Sequence, residues 1–334
     1  MLDVYLTIDT ECSMGGAWGS PGVEPVTPER AILGRAGAQR LGTPLIMDIL
    51  EAHGLRGVFF AELFASAVVG DAPLAEAYRE ILRRGHDVQL HLHPVFHYYA
   101  EVEQGRITPG QVPSPIDDIG TQSLDAQLGL IEEGVAIFHR LLGRRPLAFR
   151  AGNYAAGEAT LSALGKVGLR YDSSFNAAYR GISCLLSAPG SLNSPWEAGS
   201  LWEVPVTVFS TGAGRFAGVK PLEISAVSFL EIRRVLEQAE RLGLGTVTMV
   251  LHSFSLFKAA DAQFTRLRPD RLVIRRLRRL CEFLADQRSR FRVRTFSEEP
   301  EPRRDPPGIG LPDMGTLLPA GRRLLQALNR PYRV

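Results

Sequence analysis

Short apolar runs alternate with helical periodicities along most of the chain. Leu2–Ile8 reads as a first strand, Gly57–Phe60 as a second and Asp87–His91 as a third. Between them lie helical stretches. Thr43–His53 places Leu45, Ile46, Ile49 and Leu50 on one face and stops at Gly54. Pro73–Arg84 stops at Gly85. Further on, Ser123–Leu142 carries Leu124, Leu128, Ile131, Val135 and Phe138 at helical spacing. Pro146–Arg150 follows as a strand, Glu158–Val167 as a helix and Leu169–Asp172 as a strand. Ser228 and Glu231 have capping-box spacing, and the helix they open turns Ile232, Val235, Leu236, Ala239 and Leu242 inward. Thr246–Leu251 then reads as a strand, Asp270–Asp286 as a helix and Phe291–Phe296 as a last strand.

Regular strand–helix alternation predicts an α/β fold with a parallel sheet and helices outside. About seven parallel strands favour a distorted (β/α) barrel over an open sheet. Two stretches interrupt the pattern. Residues 12–42 are rich in Gly and Pro and read as a long first loop. Residues 298–313 read as a Pro-rich linker, followed by a short amphipathic helix at Leu317–Leu328. The expected organisation is therefore a catalytic-type domain over 1–297 and a tail over 298–334.

Composition narrows the classes. The 334 residues are 45% hydrophobic, ample for a buried core, and the net charge of +2 carries no basic stripe of the kind nucleic acid demands. The three cysteines, Cys12, Cys184 and Cys281, are far apart and lack CxxC spacing, which argues against a disulfide framework or a cysteine metal site. No secretory signal and no membrane span is read from the sequence, so a cytoplasmic protein is expected.

In a barrel the chemistry gathers where strands end. The first strand ends in Ile8-Asp9-Thr10-Glu11, two carboxylates on one strand face, which suit a base and a metal ligand. The third leads through Asp87-Val88-Gln89-Leu90-His91-Leu92-His93 to His97, and four of the seven histidines fall between His86 and His97. Imidazoles clustered with carboxylates suit zinc or a similar divalent ion. His91 and His93 share a strand face, while His93 and His97 have the spacing of one helical turn. Arg150, ahead of Asn153 and Tyr154, can orient a carboxylate through its fork of donors. His252, past the strand Thr246–Leu251, can protonate a leaving group.

In order, these segments resemble the polysaccharide deacetylases of the NodB-homology type, carbohydrate esterase family 4, over residues 1 to about 297. Asp9-Thr10-Glu11 resembles the variant Asp-x-Glu branch of the first motif. Gly85-His86-Asp87-Val88 resembles the opening of the second, Arg150–Tyr154 the third and Leu251-His252 the last. Gly168–Ser174 and Glu203-Val204-Pro205-Val206 resemble connecting segments. The resemblance implies Asp9 as catalytic base, Glu11 and His91 as metal ligands, His252 as general acid and Arg150 as the group that keeps Asp9 ionised and oriented. The residue four after His91 is Val95, so His93 or His97 must supply the remaining ligand, and His93 is preferred. The resemblance also implies substrate contacts at Asn153 and Tyr154, with a backbone N–H near Tyr154 helping to hold an oxyanion.

The implied activity is metal-dependent, most simply zinc-dependent, removal of an N-acetyl or N-formyl group from a sugar. The sugar would be nucleotide-linked, lipid-linked or oligomeric, serving bacterial surface polysaccharide synthesis. The same site would also serve a hydrolase of a non-sugar amide, and the departure in the histidine motif leaves room for a non-catalytic glycan-binding member. Arg322, Arg323 and Arg330 beside Leu317, Leu318, Leu324, Leu325 and Leu328 suit a helix packing back on the barrel, which is preferred, or peripheral contact of the tail with an anionic membrane or a partner.

Overall fold

The computed structural model describes residues 1–212 and 218–315. Nine strands form its main sheet. They are labelled β1 (Leu2–Thr10), β2 (Val58–Glu62), β3 (Asp87–Leu92), β4 (Ala148–Ala151), β5 (Tyr171–Asp172), β6 (Trp196–Ala198), β7 (Leu201–Glu203), β8 (Thr246–His252) and β9 (Phe291–Val293). Their order is β8-β1-β2-β3-β4-β5-β7-β6, with β9 also paired to β1. All pairings are parallel except the β6–β7 hairpin. The sheet curls into an incomplete barrel. Its gap is spanned by irregular backbone bonds, from Thr207 N to Thr248 O and from Val250 N to Leu222 O, both at 3.1 Å.

Period-2 alternation sorts each strand between two cores. Leu2, Val4, Leu6 and Ile8 of β1 point outward, as do Val88, Leu90 and Leu92 of β3 and Val247, Met249 and Leu251 of β8. They pack beneath the covering helices. The inward positions form a separate core from Tyr5, Val58, Phe60, Ala148, Tyr171, Val204 and Phe296. Phe296, just past β9, closes the N-terminal end of the barrel. Its ring lies 5.0 Å from Tyr5, 5.2 Å from Tyr171 and 6.0 Å from Phe60.

Seven longer helices cover the sheet: α1 (Thr43–Glu51), α2 (Asp71–Arg83), α3 (Pro94–Glu103), α4 (Leu124–Leu142), α5 (Glu158–Val167), α6 (Phe229–Leu242) and α7 (Arg271–Asp286). Several ends follow the sequence signals. Ser123 accepts from Ala126 N, and α4 ends at left-handed Gly143. The Ser228–Glu231 capping box opens α6, and Gly243 closes it. Among the described residues, no helix is long and apolar enough to cross a membrane.

Three regions differ from the sequence reading. The strand carrying His91 stops at Leu92, because Pro94 lacks an N–H and starts α3, so His93 caps that helix instead of continuing the strand. The first loop contains a short helix at Pro28–Ala31 and a two-stranded turn between Arg35–Ala36 and Gln39–Arg40. The Pro-rich stretch after 297 lies along the domain. Pro300 O accepts from the Tyr171 hydroxyl at 2.7 Å, Asp305 Oδ1 from Gly245 N at 2.8 Å, and Met314 is buried. The amphipathic helix expected at 317–328 lies outside the described residues.

Candidate active site

Above the aromatic plug, the inward side chains turn polar. Arg150 is fully buried, its guanidinium 4.3 Å from the Phe60 ring centre. It donates from Nη1 to Thr7 Oγ1 at 2.9 Å and to Asp9 Oδ1 at 2.7 Å. It also donates from Nε to Ser173 O and from Nη2 to Ser173 Oγ, both at 2.9 Å. A buried cation needs this density of acceptors to offset its lost hydration. The effect on Asp9 is geometric: Oδ1 is occupied, and Oδ2 lies 4.0 Å from His252 Nε2. Register places the two together, since Asp9 and His252 are directly paired across β1 and β8.

The third ingredient is a cluster of Glu11, His91 and His93, whose ligand atoms lie within 4.8 Å of one another. Glu11 Oε2 is 3.1 Å from His91 Nε2 and 2.9 Å from His93 Nε2. The far side of each imidazole sets its tautomer. His91 Nδ1 is 2.8 Å from the Arg150 carbonyl, which can only accept, so Nδ1 carries the proton and Nε2 presents a lone pair. His93 Nδ1 is 2.6 Å from Asp117 Oδ2. Two ring nitrogens and a carboxylate oxygen then aim at one point. That arrangement is repulsive unless a cation or proton sits among them. Of the two imidazoles, His93 has the surroundings that favour a proton. Burial opposes the charge, but the carboxylates of Asp117 and Glu11 more than offset it and hold His93 well above the usual histidine range. Burial likewise opposes ionisation of Glu11, and His93 and His91 outweigh it, holding Glu11 well below the usual carboxylate range. Two imidazoles with outer partners plus one carboxylate form a donor set that fits a divalent metal with open positions.

His97 takes no part in the cluster. One turn into α3, its Nδ1 faces Glu133 at 3.1 Å, and its ring lies 5.4 Å from Phe64. Of the two spacings open in the sequence, the fold brings His93 to Glu11 and His91.

A cavity of about 350 Å³ joins these groups. Asp9, Glu11, His91, His93 and His252 line it together with Asn153, Tyr154, Tyr179 and Glu223. Asn153 and Tyr154 both have left-handed backbones, φ 54° and 57°. The Asn153 amide donates to Asp117 Oδ2 at 3.1 Å and Asp118 Oδ1 at 3.3 Å, so it braces the acidic loop at the cleft's edge. The Tyr154 phenol is pushed well above its usual range by burial and by Asp9, with Arg150 pulling the other way, and stays neutral. Gly152 makes room: a Cβ there would meet His93 Nδ1 at 2.6 Å and Leu92 O at 2.8 Å. At the end of β2, Glu62 accepts from Phe64 N at 2.7 Å and Ala65 N at 3.1 Å, and burial pushes it up to about 8.

Sequence reasoning did not single out Asp117, Glu223, Tyr179 or Glu62. Asp117 had a faint signal as half of the acidic pair Asp117-Asp118 in a loop without periodicity. Glu223 and Tyr179 lie on segments whose placement depends on long-range closure of the barrel.

No protein-family model and no curated protein matches the chain. Solved structures do. A Mycobacterium smegmatis structure described as a polysaccharide deacetylase superposes with a TM-score of 0.56 at 18% identity, covering 89% of this chain and 88% of that one. A 4-alpha-glucanotransferase from Thermococcus litoralis gives 0.49 at 13% identity, over 90% of this chain and 41% of that one. A family 4 carbohydrate esterase from Streptomyces lividans gives 0.45 at 13% identity, over 91% of this chain and 97% of that one. With its curled parallel sheet matched over nearly the whole domain, this chain has the fold of the NodB-like polysaccharide deacetylases.

Proposed function

We propose that the protein is a metal-dependent hydrolase that removes an N-acyl group, acetyl or formyl, from a sugar residue of a glycan or glycan precursor. One observation carries this reading. The Glu11–His91–His93 cluster, the Arg150-held Asp9 and His252 converge on a single cleft at the C-terminal ends of β8, β1, β3 and β4.

Glu11, His91 and His93 would hold the ion, and the nitrogen-rich donor set favours zinc. Such an ion polarises an acyl carbonyl and acidifies a water beside it. The protein's own groups complete the reaction. Asp9 Oδ2, left available by Arg150's hold on Oδ1, takes the proton from the attacking water. The water oxygen adds to the acyl carbon. A backbone N–H near Tyr154 steadies the oxyanion as charge builds on the former carbonyl oxygen. His252 delivers a proton to the sugar nitrogen as the C–N bond breaks, leaving a carboxylate and a free amino sugar. Asp117 and the Arg150 carbonyl keep each imidazole's Nδ1 protonated and its Nε2 turned to the cluster. Asn153 and Tyr154 line the side on which the sugar would rest. In this reading residues 1–297 carry the catalytic domain and 298–334 a tail.

The test is metal content together with release of acetate or formate from N-acylated sugars. Wild type should bind about one equivalent of metal and turn over. Asp9→Asn should keep the metal and lose turnover, and His91→Ala should lose both. A wild-type protein that binds no metal and gains no activity on supplementation sinks the proposal.

A further inference from the structure

A second cavity, of about 530 Å³, opens beside the first, and His252 and Glu223 wall both. Apart from Ser225, the rest of its wall comes from the segment after β8, the hairpin Phe257–Ala259/Leu267–Pro269 with its turn, and Asp270 just beyond it. Two half-exposed aromatic rings dominate it. Phe254 stacks on His252, with ring centres 5.2 Å apart and planes 26° apart. Phe264 meets Phe254 at 6.2 Å and Phe257 at 5.8 Å.

Phe264 is held there at a cost. Its φ is 54°, the left-handed region that a bulky aromatic residue avoids. The turn around it enforces the conformation. Phe264 N donates to Asp261 O at 3.1 Å, and Thr265 N to Asp261 Oδ1 at 3.0 Å. The neighbouring Gln263 amide donates to Gly15 O at 2.7 Å and Glu24 O at 3.1 Å, which ties the turn to the first loop. Gly is the residue this turn would favour on backbone grounds alone. Strain of this kind gathers at ligand clamps, and here it keeps an aromatic ring on the wall of a cavity next to His252.

The charge on that wall narrows the occupant. The Lys258 ammonium is 3.8 Å from Asp270, whose carboxylate also caps α7. Glu223 and Asp261 add two more carboxylates to the lining. The wall is therefore formally acidic, which repels a diphosphate and suits an uncharged or amine-bearing group.

We propose that this second cavity is a subsite for the sugar ring joined to the acylated one, with Phe254 and Phe264 as its stacking surface and Phe264 as the residue that sets the preference for an oligomer. The inference rests on the sugar-hydrolase reading above, and it favours an oligosaccharide over a nucleotide- or diphosphate-linked monosaccharide.

The variant Phe264→Gly separates a lost subsite from a lost fold, because it relaxes the backbone while deleting the ring. Deacetylation would be followed with a tetramer of N-acetylglucosamine, the free monosaccharide and its uridine-diphosphate conjugate. Wild type should favour the tetramer, and Phe264→Gly should lose about threefold to tenfold of that preference through KM. Its melting temperature should stay level or rise. A tetramer-to-monosaccharide ratio unchanged in Phe264→Gly, or a wild type that favours the uridine-diphosphate sugar, overturns the subsite. If no substrate is turned over, the hydrolase reading fails separately. Calorimetric titration with the tetramer then decides the subsite: binding weakened in Phe264→Gly supports it, and equal or absent binding in both proteins overturns it.

Discussion

Arg150 Nη1 donates to Asp9 Oδ1 at 2.7 Å inside the barrel, with both side chains removed from solvent. The pair joins β4 to β1 across the interior, although these strands are not neighbours in the sheet. Arg150 thus spans the barrel below the cleft and fixes which oxygen of Asp9 faces His252.

Replacing Arg150 by Met should therefore be costly twice over. Asp9 would be left buried without a counter-charge, and Thr7 and Ser173 would lose their donor. Breaking a buried pair from one side costs about 3–5 kcal/mol. Urea denaturation should show that loss, together with a fall in kcat in whatever protein remains folded. A change below about 1 kcal/mol would mean the barrel tolerates the gap and the account of Arg150 is wrong.

Asp117 and Gly152 should matter through His93. Asp117→Ala removes the acceptor at Nδ1, and loss of such an outer partner typically weakens metal binding by about 10–100-fold. Gly152→Ala pushes a methyl into the same ring. Both should raise the zinc dissociation constant in a competitive-chelator titration, and Asp117→Asn, which keeps an acceptor oxygen, should recover part of the loss. By contrast His97→Ala, away from the cluster beside Glu133, should bind zinc as wild type does. Zinc loss in His97→Ala would move the ligand set.

His252 is assigned to the leaving group, so its removal should depend on what leaves. A sugar amine needs a proton, and His252→Ala should slow its release by about 10²–10⁴-fold. An activated aryl ester leaves without one, so its hydrolysis should fall far less. Equal losses on both substrates would give His252 a different part.

Asp172 and Glu203 form a buried acid pair, on the outward side of β5 and β7. Burial raises both, and the neighbouring Asp172 carboxyl raises Glu203 further. Asp172 Oδ2 and Glu203 Oε2 are buried without a hydrogen-bond partner, and two carboxylates buried side by side favour keeping a proton on one of them. In the unfolded chain both acids titrate near about 4. The folded pair keeps its proton above that, so its stability is full at lower pH and is lost as pH rises through the raised folded value. Melting temperature should decline as pH rises above the unfolded value of about 4, and Glu203→Gln, which cannot ionise, should flatten that slope. An unchanged slope would show that the pair is not the titrating element.

Much of this was legible in the chain alone. The two periods, 2 and 3.6, are local properties of the backbone, so alternating strands and helices, their capping signals and the α/β class follow from short windows of sequence. Asp9, Glu11, His91, Arg150 and His252 were equally visible, because each sits where an apolar run ends and a parallel barrel brings such ends to one rim. Other features depend on distance in space. Only the fold decided that His93 joins the cluster while His97 turns to Glu133, because Pro94 ends the strand's alternation one residue after Leu92. Only the fold brought Asp117 behind His93, Glu223 into both cavities and Phe264 beside Phe254 on the second cavity's wall, since none of these has a periodic or spaced partner nearby. Side-chain type and local period fix which residues are fit for chemistry; which of them meet is set by strand register and loop closure, and those are decided by packing over the whole domain.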